Sequence, residues 1–453
     1  MATGESQPGG QPGYVFTEPA GGWRSEGQAA GLVDPAGVFA PVVSGSTIET
    51  GEHESGEDAL FAEPPGGWSG EVSPVGHLVA PAGYTLDHAD LSGPTAVGPS
   101  IETATRQAGP EYVFEEPPSG WSGTVEPVAE LVDPDGLGIW ATAISGRTIF
   151  ASVVTGTGSG TARVDVFNEP AGGWSGQVRP SAFLDAGGAV LAEGRYAFVY
   201  DEVFKEPARG WSGTPNPVAF LSPPLTSAAA ASGDTVVGFA GVGGCACSAF
   251  DAYTEPAGGW RGSVQPAETA GYTSQADMTA LAVSGSTLFS TFGGNEIVVA
   301  NIRGRSKSIP APKLAGLSAQ LAQKAPRLGF TLTMLPKASK LLTITITPPA
   351  GLRFTSNLKR PRAGVQVRGA RLVLVQEVGN DLLAIRLTHL TASPSINVTG
   401  PTLIESQALE KRLIRLKRAG ARDHAAHTVS LPLQLLLDTP ENTWQLNAQL
   451  RAR

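Results

Sequence analysis

One phrase recurs six times along this 453-residue chain: Glu-Pro, two small or polar residues, Gly, then Trp, with the tryptophans at Trp23, Trp68, Trp121, Trp174, Trp211 and Trp260. The steps between them are 45, 53, 53, 37 and 49 residues, the spacing of one β-propeller blade, whose period is about 40 to 50 residues. Helical solenoids do not fit this pattern. The chain holds 57 Gly and 36 Pro, placed within the repeats where they would break helices.

Each unit reads as strand, turn, strand. Around Trp121 a short run, Tyr112-Val113-Phe114, precedes the turn Glu115 to Gly120, and a second run opens at Trp121 and closes at Pro127. Pro presets φ for a turn and Gly takes positive φ, so the phrase predicts a hairpin. The frame recurs as Phe16, Phe61, Phe167, Phe204 and Tyr253 before the turn, and as Pro74, Pro180, Pro217 and Pro266 six residues after Trp. Between these phrases lies a second one, Ser-Gly-x-Thr, at Ser44, Ser92, Ser145, Ser232 and Ser284. It predicts another tight turn between apolar runs, which completes a four-stranded blade. The fourth interval, with only Glu193-Gly194-Arg195-Tyr196, reads as a trimmed blade. Leu288 to Ala300 lacks a Trp phrase after it and Tyr14 to Trp23 lacks Ser-Gly-x-Thr before it, so the two are expected to complete one blade and close a ring.

The run Ser232-Gly233-Asp234-Thr235-Val236-Val237-Gly238-Phe239-Ala240, with Tyr112-Val113-Phe114 and the Gly-Trp turn, resembles the bacterial FG-GAP-type repeats of integrin-like propellers over about residues 12 to 304. Members of that family are mostly exported, so the resemblance implies an extracellular or cell-surface location, although no basic start followed by an apolar core stands at Met1. Integrin-type repeats carry a calcium loop of alternating Asp residues. The nearest trace here, Asp133-Pro134-Asp135-Gly136, has too few carboxylates for the six to eight oxygens calcium takes, so calcium is not carried over.

Charge divides the chain. Residues 1 to 304 hold 10 Lys+Arg against 34 Asp+Glu, net −24, and residues 305 to 453 hold 22 against 7, net +15. The run Arg303 to Pro312 reads as the linker between them. We expect a disordered segment over 1–12, a propeller of six or seven blades over 13–304, and a basic β-sandwich with one short helix over 305–453. In the last region Leu328 to Leu335, Leu341 to Thr347, Leu382 to Leu387 and Val429 to Leu437 alternate apolar and polar residues, the period of half-buried strands. That module resembles the immunoglobulin-like tail modules of secreted actinobacterial proteins. Ile404 to Arg418 alone has helical periodicity, closed by Gly420. No stretch reaches the roughly 18 apolar residues of a membrane span.

Chemistry is sparse. Cys245 and Cys247 form a lone Cys-x-Cys without the further ligands a zinc site needs. His53, with Glu49, Glu52, Glu54, Glu57 and Asp58, and His77 and His88, with Asp87 and Asp90, read as acidic inter-strand loops rather than a metal site; Asp423, His424 and His427 form a weaker loop cluster. The Glu at 18, 63, 116, 169, 206 and 255 reads as a turn residue. No nucleophile elbow, phosphate loop or dinucleotide fingerprint occurs. The expectation is a non-enzymatic extracellular binding or adhesion scaffold without catalytic residues, metal or cofactor. Its partner would be a protein or a cell-surface polymer, and residues 305 to 453 would contact anionic polymers non-specifically. The six tryptophans are assigned to packing between blades. The alternatives are a lectin that stacks sugars on those tryptophans and an enzyme with its site in the propeller channel.

Overall fold

The computed structural model describes residues 2–3, 13–18, 30–33, 39–51, 57–154, 161–240, 249–271, 278–292, 296–302, 304–309, 312–321, 326–333, 341–354, 364–378, 382–391, 393–400, 402–423, 429–439 and 443–452. Among them every regular element but one is a strand, so the chain is all-β. The chain forms two compact units: 1–218 with 224–255 and 266–305, and 219–223 with 256–265 and 306–453. The charge boundary lies beside the break at 305. Two short pieces of the repeat region nevertheless fold with the second unit.

In the first unit each repeat makes its own antiparallel sheet. Gly138–Ser145, Thr148–Val154, Thr161–Asn168 and Ala182–Leu184 pair in chain order. The same order holds for Phe39–Ser44, Thr47–Gly51, Glu57–Ala62 and Gly76–Val79, for Asp90–Ser92, Thr95–Glu102, Ala108–Glu115 and Ala129–Leu131, and for Leu225–Ser232, Thr235–Ala240, Ala249–Thr254 and Glu268–Gly271. In the shortest interval Val190–Glu193, Tyr196–Val199 and Glu202–Lys205 are four residues each. That repeat is trimmed by shortening its strands. Ser-Gly-x-Thr closes the first hairpin of these sheets, as in Ser145 opposite Thr148, and Glu193-Gly194-Arg195-Tyr196 does so in the trimmed one. Gly146 has φ +58 while Arg147 is not in the left-handed region, which is the Gly-first two-residue turn whose twist suits a hairpin.

The Trp phrase is not a hairpin, contrary to expectation. Pro117 accepts the amide of Gly120 at 2.8 Å, and the same Pro-to-Gly bond recurs at Gly67, Gly173 and Gly210. The run after Trp then leaves its own sheet. Gly123–Val125 pairs in parallel with Gly76–Val79 of the preceding repeat, as Gly70–Val72 does with Gly31–Val33 and Gly176–Val178 with Ala129–Leu131. Parallel neighbours cannot be joined by a tight turn, so these strands stitch one repeat to the next. Gly176, at φ +59 with open space where a Cβ would stand, starts such a strand and donates its amide to Val128 at 3.1 Å. Gly176→Ala is expected to cost about 1–2 kcal/mol through backbone strain alone, read as a lowered denaturant midpoint.

The core lies between successive sheets. Val97, Val113 and Leu131 of one repeat pack with Ile139, Ile149, Val153 and Phe167 of the next. Strands buried on both faces are continuously apolar, as Ile149 to Val153 shows, with Ser152 the one exception. Among the described residues the two halves of the expected blade, Leu288 to Ala300 and Tyr14 to Trp23, are not paired with each other. Met278–Ser284, Thr287–Phe292 and Glu296–Asn301 make a three-stranded sheet, and Gly13–Val15 pairs with Gly31–Val33 and Ala2–Thr3. Of the segment 1–12 only Ala2–Thr3 is described, as that strand.

In the second unit nine strands form one sheet, in the order Val365–Arg368, Ser395–Thr399, Arg327–Thr333, Lys313–Gln320, Thr443–Ala452, Val429–Asp438, Leu341–Thr347, Leu382–Thr388 and Arg371–Val378. Their alternation holds: Leu342, Ile344 and Ile346 are buried. Buried Trp444 donates its indole N–H to the Ile309 carbonyl at 3.0 Å. The helix, α1, runs Gln407–Asp423. It starts later than expected because Ser406 caps it, its Oγ accepting the Leu409 amide at 3.3 Å. Gly420 does not end it; it lies inside the helix.

Candidate functional site

The residues that recur in the repeats meet at the seams between them. At the Ser-Gly turns, Ser44 Oγ accepts the Gly93 amide at 2.9 Å, Ser92 Oγ that of Gly146 at 3.2 Å and Ser232 Oγ that of Gly285 at 3.1 Å. Where serine is replaced by Glu193, its carboxylate accepts the Gly233 amide at 2.9 Å. The serine therefore links each turn to the next one.

The Glu of each Glu-Pro phrase is tied to its own Ser-Gly turn. The amides of Glu63, Glu116, Glu169, Glu206 and Glu255 donate to the carbonyls of Ser46, Pro94, Arg147, Arg195 and Asp234 at 2.6–2.9 Å. Where the turn carries arginine, the side chains pair as well, Arg147 with Glu169 at 2.8 Å and Arg195 with Glu206 at 3.0 Å. These pairs are exposed and contribute little.

Trp121, Trp174 and Trp211 are 5%, 3% and 3% exposed. Trp174 packs against both Val113 and Ile149, from consecutive repeats. Trp211 sits among Phe150, Val166 and Phe204, with its ring edge-on to Phe150 at 5.2 Å. Trp260 is also buried, Trp68 is half-buried against its cluster, and Trp23 lies outside the described residues. A buried indole face is not offered to a sugar.

The feature not found from the sequence is a set of acids on the third strands, four of them buried and Glu202 half-buried. The third strand of five repeats carries one, two or three residues before its aromatic: Asp58, Glu111, Asp165, Glu202 and Asp251. Asp58 stands opposite Gly51 and Glu111 opposite Pro99. Asp165, Glu202 and Asp251 are one position further on, opposite Ala151, Val199 and Gly238, and so face the other side of their sheets. An acid two or three residues before the aromatic of an apolar strand was the available signal. Glu49 and Asp58 were expected in a solvated loop; both lie on paired strands and are buried, because the acidic run is interrupted by strand.

Burial sets the protonation of these groups. It pushes the Glu49 carboxyl well up, and Asp58 adds to the shift while the Ala89 amide opposes it. Burial likewise raises Glu111, opposed by the Thr142 hydroxyl. Asp165 is pushed up to about 7 by burial, against the pull of Arg163, and Glu202 to about 8 by burial, then Asp201 and Asp185. Asp90, also raised by burial, crosses a seam: its carboxylate accepts the Leu91 amide at 2.9 Å and the Ile144 amide of the next repeat at 2.9 Å. Glu49 and Asp58 share a hydrogen bond with Asp90 near them, and Asp165 is hydrogen-bonded to Asp133. Among the described residues no group of three or more His, Cys, Asp and Glu could hold a metal ion.

The Asp133-Pro134-Asp135-Gly136 turn has its cation within the protein. Arg163 pairs with Asp133, with Asp135 at 2.9 Å and with Asp165 at 2.7 Å, while the other Asp133 oxygen accepts the amides of Asp135 and Leu137 at 2.8 and 3.0 Å. His77 and His88 stand 3.9 Å from Glu57 and Asp87 respectively. His53, His424, His427, Cys245 and Cys247 lie outside the described residues.

In the second unit α1 turns Leu409 and Leu413 into the core and leaves Lys411, Arg412, Arg415, Lys417 and Arg418 exposed. Among the described residues none of the five forms an ion pair. No helix of the described residues is long and apolar enough to cross a membrane.

No family model matches the chain, and no curated protein matches it. Solved structures that align with it include BamB from Moraxella catarrhalis, at TM-score 0.33 and 11% identity over 71% of this chain and 88% of that one. The tricorn protease aligns at TM-score 0.30 and 9% identity over 90% of this chain and 35% of that one. The collagen adhesin of S. aureus aligns at TM-score 0.19 and 10% identity over 37% of this chain and 56% of that one. At TM-scores below 0.5 these likenesses assign neither a fold nor a function to the chain.

Proposed function

We propose that the chain is a non-catalytic binding or adhesion scaffold, exported or held at the cell surface. It is built as a β-propeller of six or seven FG-GAP-like blades followed by a basic, immunoglobulin-like β-sandwich. The blade number turns on whether Met278–Ser284, Thr287–Phe292 and Glu296–Asn301 share a blade with Gly13–Val15 and Gly31–Val33. One observation carries the reading: the recurrent Ser, Gly and Trp residues are spent on holding repeat to repeat, and the recurrent Glu on bracing the turn within its own repeat. The acids are read as structural, since Asp90 is held by the Leu91 and Ile144 amides and Asp165 by Arg163. The lectin alternative loses support because four of its six tryptophans, Trp121, Trp174, Trp211 and Trp260, are buried.

The partner class follows from charge. A region of net +15 attracts anionic polymers and releases them as salt screens it. The intact chain, presented with a panel of glycans and anionic cell-wall polymers, is expected to retain an anionic polymer in low salt and to release it near molar salt. Absence of binding across the panel would sink the proposal. So would turnover of a hydrolase-panel substrate that one substitution in the repeats abolishes.

A further inference from the structure

We infer that the outward face of α1 is a docking strip for a flexible, phosphate-linked polymer of the cell surface; the inference rests on the surface-scaffold reading above. Lys411, Arg415 and Arg418 follow one another at steps of four and three residues, so they line one stripe of the helix. Leu409, Leu413 and Leu416 keep the same spacing about half a turn away, and all three belong to the core packing. The stripe is therefore held facing outward. It spans about 10 Å at 1.5 Å per residue, with Arg412 on one flank and Lys417 on the other.

The chemistry of the strip narrows the occupant. Arginine forks match phosphate oxygens in pairs, and two of the three stripe residues are arginine. A lipid surface is disfavoured, because an interfacial helix inserts its apolar face and here that face is used by the protein's own core. A single-stranded nucleic acid offers bases that binding proteins meet with aromatic side chains, and α1 has none; a duplex is too stiff to bend along a strip of this length. What remains is a chain that offers little besides repeated phosphate and can bend along a single helix.

The test uses the full chain and poly(glycerol phosphate) as probe, with DNA, heparin and anionic phosphatidylserine vesicles in parallel. Two variants remove the same charge from different places in the second unit: Lys411→Gln with Arg415→Gln and Arg418→Gln on α1, and Arg368→Gln with Arg371→Gln and Arg386→Gln, which are exposed on the sheet. Glutamine keeps helix propensity, and unchanged melting of both variants verifies the folds. The α1 variant is expected to lose about tenfold or more in affinity for the probe, the sheet variant under about threefold. Equal losses would overturn the strip, since attraction would then be spread over the whole basic unit. Wild-type binding to DNA, heparin or vesicles without binding to poly(glycerol phosphate) would overturn the inference and leave the scaffold reading standing. Wild-type binding to nothing on the panel would end both.

Discussion

Trp211→Ala is expected to destabilise the repeat unit by about 3–5 kcal/mol, the range for emptying a large aromatic from a core. Trp211 is 3% exposed, packs among Phe150, Val166, Val199 and Phe204, and stands edge-on to Phe150, a geometry that adds to simple burial. The neighbours belong to two consecutive sheets, and neither can collapse into the gap without moving its ladder. Trp68→Ala, at a half-buried site, is expected to cost clearly less. Urea midpoints of the three proteins measure the difference. A Trp211→Ala shift below about 1 kcal/mol would show that the indole is not part of the seam.

Between about pH 4 and pH 8 the protein is expected to lose stability as pH rises, and Glu202→Gln is expected to flatten that loss. The folded carboxyl of Glu202 is raised to about 8 from an ordinary 4.5, first by burial and then by Asp201 and Asp185. A raised acid holds its proton more tightly folded than unfolded. Its contribution is therefore complete below the unfolded value and is lost as pH climbs through the folded one. Glutamine is neutral throughout, so near pH 8 the variant should be the more stable by roughly 2–5 kcal/mol. Asp165, at about 7, and Glu111, also raised, act in the same direction, so the slope shrinks without vanishing. Denaturant midpoints across that range decide: identical slopes would mean that Glu202 is ionised in the folded protein.

Much of the repeat unit was legible before any coordinates, because its turns are local. A Gly at the first position of a two-residue loop is required by the backbone wherever that loop occurs, and Ser-Gly-x-Thr marked the loop in five repeats. The alternation in Leu341–Thr347 likewise follows from one buried face. The Trp phrase was read as a hairpin because its Pro and Gly are hairpin residues. Its strand instead crosses to the preceding repeat, a choice made by partners about 47 residues away, as with Gly123 and Gly76.

The acids were hidden for a related reason. Asp165 and Asp251 look like ordinary polar residues in their strands, and nothing adjacent says that both faces will be covered. Their burial comes from the neighbouring sheet, and their raised proton affinity follows from that burial. The amino-acid sequence by itself determined the repeat, its turns, the split into acidic and basic regions and the presence of α1, all properties of short-range backbone sterics, periodicity and charge. Only the tertiary structure decided which strand follows which across a seam, which tryptophans are enclosed and which carboxyls keep their protons, because each depends on the surface that a distant segment removes from water.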